Sequence, residues 1–122
     1  MGNFSKEKLS SSAKIILENP ETEIFISQIS FWEIAIKYQI GKLPDFNVSL
    51  EDFISAVSAA GFNILPLKNE HLVTYFNCSY FSNDHRYPFD RLLIATADCE
   101  NADFITKDEK FSNYSPQVQI IW

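Results

Sequence analysis

Residues 23–41 read EIFISQISFWEIAIKYQIG, and this stretch decides the fold. Its first five residues form a β-branched and aromatic run, which is typical of a buried strand. The residues from about Gln28 to Ile40 predict a helix, and Gly41 is placed to end that helix in the left-handed conformation. A short apolar strand followed by a helix indicates a βαβ unit, the building block of a parallel sheet.

The rest of the chain continues this alternation. We expect a helix capped by Ser5 and stopped at Asn19, further helices capped by Ser49 and Asn69, and another with Pro88 in its first turn. Further strands are predicted at 62–67, 102–106 and 118–121. The pattern predicts an α/β fold, with a small doubly wound parallel sheet flanked by helices, in a single domain covering residues 1–122.

Composition limits the classes of function. The chain has 122 residues, a net charge of −6 and a pI near 4.8. This acidic balance argues against nonspecific binding of nucleic acid, unless a bound divalent cation meets the phosphate charge. The apolar runs are far shorter than the roughly 20 residues of a bilayer span, so we expect a cytoplasmic protein without a membrane contact. The two cysteines, Cys78 and Cys99, have no CxxC spacing and predict reduced structural thiols.

Three acidic residues stand out by their neighbours. Glu33 lies among apolar residues of a helix, Asp90 lies in the first turn of another, and Asp108 follows a strand end, where α/β folds place ligands. Each has an ordinary alternative: an ion pair with Lys37, a favourable place in the helix dipole, and a turn cap, respectively. Carboxylates that converge need a cation, and oxygen ligands favour Mg²⁺ or Mn²⁺, the metals of phosphodiester hydrolysis. The spacing leaves open whether the three converge.

The histidines and a group of aromatic residues add little chemistry. His71 and His85 lack the spacing of a helical pair, so we interpret each as a lone surface or loop histidine. The aromatic residues are expected to be core or subunit contacts rather than platforms for stacking bases. They are Phe62, Tyr75, Phe76, Tyr80 and Phe81.

Four blocks of this sequence resemble PIN domains of the VapC type. They are residues 24–37 (IFISQISFWEIAIK), 41–44 (GKLP), 85–95 (HRYPFDRLLIA) and 105–108 (ITKD), in this order. The resemblance implies an Mg²⁺- or Mn²⁺-dependent RNA endonuclease, the toxin of a type II toxin–antitoxin system, with an antitoxin protein as partner and a homodimer as assembly. It also implies that Glu33, Asp90 and Asp108 are the catalytic metal ligands, with Arg91 and Thr106 as auxiliary site residues.

The sequence departs from this family at its start. PIN domains open with a strand that ends in an acidic metal ligand, whereas residues 1–5 (MGNFS) match the loop before the family's first helix. We therefore expect an N-terminally incomplete domain that lacks its first central strand and one ligand. Three explanations of the missing strand stay open: a wrongly chosen or trimmed start, a degenerate remnant, or a strand supplied by another chain. The alternative function is a catalytically inactive PIN-like module for protein interaction.

Overall fold

The computed structural model describes residues 10–81, 87–114 and 117–122. In chain order the elements are α1 (Ser11–Glu18), β1 (Phe25–Ser27), α2 (Gln28–Gln39), α3 (Leu50–Ala59), β2 (Asn63–Leu65), α4 (Asn69–Asn77), α5 (Pro88–Cys99), β3 (Phe104–Ile105), a 3-10 helix (Glu109–Tyr114) and β4 (Ile120–Ile121). They form two compact units. We call Glu23–Leu67 the 23–67 unit and the described residues on either side of it in the sequence the terminal unit.

The 23–67 unit is a parallel βαβ arrangement. Strand β1 pairs in parallel with β2, so that Phe25 lies opposite Asn63 and the next two residues of each strand follow in register. Helices α2 and α3 connect the two strands along the chain, as the alternation of strand and helix predicts. Ile26, Phe31 and Val57 form the buried core of this unit.

Serine hydroxyls start three helices. Ser10, Ser27 and Ser49 each accept a backbone N–H from the second or third helical residue, at 3.0–3.1 Å. Such a cap satisfies one of the N–H groups that the first helical turn leaves without a partner. The cap at Ser49 was predicted, whereas Ser5, the predicted cap of α1, lies outside the described residues. Asn69, predicted to cap α4, is instead the first residue of that helix.

Three helices end in the same hydrogen-bonded motif. Gly41, Gly61 and Asn101 have φ angles of +75°, +93° and +53° and follow α2, α3 and α5. The N–H of each donates to the carbonyl three residues back, and the next N–H donates to the carbonyl five residues back. This is the Schellman motif, which needs a residue in the left-handed conformation. The predicted end of α2 at Gly41 is confirmed.

The terminal unit contains a second parallel pair of strands. Phe104 lies opposite Ile120 and Ile105 opposite Ile121. The N–H of Phe104 donates to the carbonyl of Gln119 at 2.8 Å, and the N–H two residues later donates to the carbonyl of Ile121 at 3.0 Å. Because the bonding direction alternates along a strand, the peptide groups of Ile105 point to the opposite edge.

The core of the terminal unit lies between α5, the 3-10 helix and the segment after it. Its buried members are Ile94, Ala97, Phe111, Tyr114 and Val118. The rings of Tyr80 and Phe81 each lie 6.1 Å from the ring of Tyr114, which confirms the predicted core role for these two residues. Phe76, which the sequence groups with them, is 87% exposed.

The α/β class and the parallel pairing are therefore confirmed. The sequence predicts one sheet, whereas in the described residues the strands form two two-stranded ladders, β1 with β2 and β3 with β4. The absence of a central first strand and the single domain over residues 1–122 stay predictions. None of the described helices has the length and apolar character that a bilayer span requires.

Candidate functional site

Glu33 lies on the buried side of α2. Its side chain is 7% exposed, and its neighbours Ile29 and Ile34 are buried as well. One carboxylate oxygen, Oε2, lies 3.5 Å from Nζ of Lys37, one helical turn further on. This is the ion pair that the sequence offers as the ordinary explanation of Glu33. It is longer than the roughly 2.7–2.9 Å of a charge-assisted hydrogen bond.

Asp90 and Arg91 lie in the first turn of α5. Pro88 is the first helical residue, where its fixed φ and missing N–H suit the helix start. Asp90 and Arg91 are both half-buried, and the guanidinium carbon of Arg91 lies 5.1 Å from the centre of the Phe81 ring. The positive end of a helix favours a carboxylate, so the ordinary explanation of Asp90 is compatible with its place.

Thr106 and Asp108 follow strand β3 directly and are joined by a hydrogen bond. The N–H of Asp108 donates to Oγ1 of Thr106 at 3.1 Å, and Oδ1 of Asp108 accepts from the N–H of Lys110 at 3.0 Å. The carbonyl of Asp108 accepts from the N–H of Phe111 at 3.2 Å. Asp108 thus caps the turn that begins the 3-10 helix, while its second carboxylate oxygen accepts from no donor among the described residues.

The predicted site residues belong to both units. Glu33 is part of the 23–67 unit, whereas Asp90, Arg91, Thr106 and Asp108 are part of the terminal unit. Thr106 and Asp108 are hydrogen-bonded to one another, and Asp90 and Arg91 lie in the same turn of α5. Convergence of the three acids stays a prediction.

The donor set of these residues fits a divalent metal. Carboxylate and hydroxyl oxygens are hard ligands of the kind that Mg²⁺ and Mn²⁺ accept. A buried carboxylate such as that of Glu33 is costly unless a positive charge neutralises it, and a dication does so more completely than one ammonium. Among the residues that the structure describes, Glu33 has one ionic partner and Asp108 uses one carboxylate oxygen as a turn cap, so both have further acceptor positions.

His71 is a buried residue that the sequence did not reveal. Its side chain is fully buried on α4, so the prediction of a surface or loop histidine is wrong for His71, while His85 lies outside the described residues. Nδ1 accepts the backbone N–H of Lys68 at 3.1 Å, and Nε2 lies 2.7 Å from Oε2 of Glu100. The hydrogen bond from His71, together with the charge of Lys68, lowers the pKa of Glu100. Glu100 is 29 residues away, a separation at which no local pattern signals a pair.

The same histidine forms a cluster of potential ligands with Cys99 and Glu100. One ligand atom from each residue lies within 4.8 Å of the others. A backbone N–H can only donate, so Nδ1 of His71 must accept, and Nε2 therefore carries the hydrogen. A metal needs the lone pair of Nε2, which this hydrogen occupies. The cluster is therefore a hydrogen-bonded link between α4 and the end of α5 rather than a site ready for a metal.

Both cysteines are free thiols, in agreement with the prediction. Burial, the largest cause, raises the pKa of the Cys78 thiol, and the negative charge of Asp98 raises it further. The hydroxyl of Tyr80 donates to Asp98 at 2.9 Å. A raised thiol pKa disfavours the thiolate, which is the reactive form, so Cys78 is suited to a structural role.

Comparison with known proteins relates the chain to a protein family. A family model described as the PIN domain matches residues 3–115 of the chain. No curated protein and no solved structure matches it significantly. The matched span includes all five predicted site residues.

Proposed function

Because the chain belongs to the PIN domain family, a nuclease-like family that generally depends on divalent metals and commonly binds RNA, we propose that it is a metal-dependent RNA endonuclease. The observation that carries this proposal is the family match over residues 3–115, a span that includes Glu33, Asp90 and Asp108. These three acids would hold Mg²⁺ or Mn²⁺.

The biological setting is part of the same proposal. We assign the chain to the VapC-type subfamily, as the cytoplasmic toxin of a type II toxin–antitoxin system. Its partners would be an antitoxin protein and a second copy of the chain in a homodimer. The four sequence blocks that resemble this subfamily support the assignment.

In the proposed mechanism each residue has a separate task. A bound metal would supply positive charge for hydrolysis of the phosphodiester bond. Glu33, Asp90 and Asp108 would hold it through carboxylate oxygens. Thr106 positions Asp108, because its hydroxyl accepts the Asp108 N–H at 3.1 Å. Arg91, held against the Phe81 ring, offers a cation and N–H donors to a phosphate.

Metal binding by the three acids would also explain how a chain of acidic composition acts on RNA. A chain with a net charge of −6 has no general attraction for a polyanion. Metal bound by the acids would supply the positive charge locally, where the scissile phosphate binds.

A catalytically inactive PIN-like interaction module is the second candidate. Glu33 already pairs with Lys37, and Oδ1 of Asp108 already accepts the Lys110 N–H, so both acids have structural partners without a metal.

Cleavage of labelled single-stranded RNA tests the proposal. The protein should cleave RNA in Mg²⁺ and stop when the metal is chelated, and Asp90→Asn should lower the rate by about 100-fold or more, the typical effect of removing one preorganised electrostatic group. Asp103→Asn is the matched control, because Asp103 is an exposed acid of the same unit outside the predicted site. Equal activity of the protein and Asp90→Asn contradicts the catalytic proposal, and inactivity of both supports the interaction module.

A further inference from the structure

We propose that Lys37 is a built-in counter-ion of Glu33 that a divalent cation displaces when it binds. The inference rests on the proposed function, since it concerns a carboxylate of the same candidate site. It assigns to Lys37 a role in setting how strongly the chain binds its metal.

The burial of Glu33 makes a counter-ion necessary. The residue is 5% exposed and lies on the apolar side of α2, where an isolated carboxylate would be strongly destabilised. The ammonium of Lys37, at 3.5 Å, is the ionic partner that the structure gives it. The Lys37 ammonium is thus the positive charge that offsets the burial of this carboxylate.

The geometry allows Lys37 to leave without disturbing the helix. Its side chain is 38% exposed, and its four-carbon stem can turn the ammonium into solvent. Its backbone is fixed independently, because its carbonyl accepts the N–H of Lys42 at 2.9 Å in the Schellman motif. Displacement therefore requires only a change of rotamer.

A dication and the Lys37 ammonium cannot share the same carboxylate closely. Two positive centres within a few ångströms of one another repel strongly in a partly buried site, where the effective dielectric constant is low. The metal therefore binds the fraction of molecules in which Lys37 has turned away, and its apparent affinity is reduced by that fraction. An orienting role for Lys37 predicts the opposite, since the lysine would then strengthen metal binding.

Calorimetric titration with Mn²⁺ alone, at about pH 8, measures this competition. Lys37→Met keeps an unbranched apolar stem and removes the charge, so it should bind Mn²⁺ about three- to tenfold more tightly, the range expected when one partly buried ion pair no longer has to be broken. Lys42→Met is the matched control, because Lys42 is an exposed lysine of the same unit. It should change the affinity by less than about twofold, the effect of net charge alone.

Nuclear magnetic resonance tests the displacement in the unaltered protein. The side-chain signals of Lys37 should shift as Mg²⁺ is added and should reach their end point at the same concentration as metal binding. Lys37→Arg, which keeps the charge, should bind Mn²⁺ no more tightly than the unaltered protein. These measurements decide the question even where Lys37→Met does not fold.

The outcomes separate this inference from the proposed function. If the unaltered protein binds Mn²⁺ and Lys37→Met binds it equally or more weakly, the inference is wrong and metal-dependent cleavage stands. If Lys37→Met alone binds Mn²⁺, the inference stands and metal-dependent cleavage by the unaltered protein does not. If neither protein binds Mn²⁺, or the Lys37 signals stay in place while metal binds, the counter-ion is not displaced and the inference is overturned.

Discussion

Glu33 in the 23–67 unit and His71 in the terminal unit are both buried ionisable side chains on helices, but their surroundings differ. Both ring nitrogens of His71 are hydrogen-bonded, to the Lys68 N–H at 3.1 Å and to Glu100 at 2.7 Å. Glu33 has an ion pair with Lys37 at 3.5 Å, while a carboxylate has about four positions at which it can accept.

The comparison distinguishes a structural group from one that can still take a ligand. A buried side chain whose donors and acceptors are all used stabilises one packing arrangement and has nothing left for another partner. Glu33, with one long ion pair among the described residues, retains acceptor positions on its carboxylate. We therefore expect His71, which looked less informative in the sequence, to contribute more to stability than Glu33 does.

The largest expected loss of stability comes from replacing His71, whose two ring nitrogens are both hydrogen-bonded. His71→Ala should lower the free energy of unfolding by about 2–4 kcal/mol, because it leaves a cavity in place of a fully buried ring and removes two hydrogen bonds. Glu33→Gln keeps the side-chain volume and should change stability by less than about 1 kcal/mol in either direction. Urea denaturation of both variants measures the difference. Similar losses in both would remove the distinction between the two sites.

Glu100 is expected to make a pH-dependent contribution to stability, since the hydrogen bond from His71 lowers the pKa of Glu100 below its ordinary value of 4.5. The stabilisation is fully present above pH 4.5 and is lost as the pH falls through the lower value of the folded state. Glu100→Gln keeps an acceptor for His71 and removes the charge. Its urea midpoint should be lower than that of the unaltered protein at neutral pH, and the two should converge in acid. A constant difference across this range would contradict the assignment.

The smallest loss of stability is expected from replacing Lys68. Its ammonium lies 3.6 Å from Oε2 of Glu100 and its side chain is 46% exposed, so water and salt screen the pair. Lys68→Met keeps the backbone N–H that binds His71. Its urea midpoint should drop slightly at low salt, by less than that of Glu100→Gln, and the drop should vanish in about 1 M salt, where the Debye length is about 3 Å. A drop that persists there would point to lost packing of the lysine stem.

Much of the fold could be predicted because its signals are local. The cap at Ser49, the left-handed end at Gly41 and the helix start at Pro88 each depend on one residue and its immediate neighbours. Alternation of apolar strands and helices was enough to predict parallel pairing. The arrangement of the strands in two short ladders depends on contacts between distant segments, and no local pattern encodes it.

The candidate site was predictable to a similar extent. The i, i+4 spacing of Glu33 and Lys37 predicts the ion pair, and the turn-like run of residues 108–111 offers the cap that Asp108 forms. The burial of His71 could not be found, because Glu100 is 29 residues away and follows a helix that the sequence does not link to α4. Whether three acids converge depends likewise on long-range packing.

The alternation of peptide groups in β3 also affects how copies of the chain behave in concentrated solution. The peptide groups of Ile105 point away from β4, and in the part of the chain that the structure describes no strand pairs with that edge, which can therefore pair with the edge of another copy. The exposed carboxylates of Asp103 and Asp108 lie on either side of this strand in the sequence, and the chain as a whole carries a charge of −6. Like charges on two copies repel one another, so we expect this edge to pair more readily, and colloidal stability to decline, where salt or acid removes that repulsion.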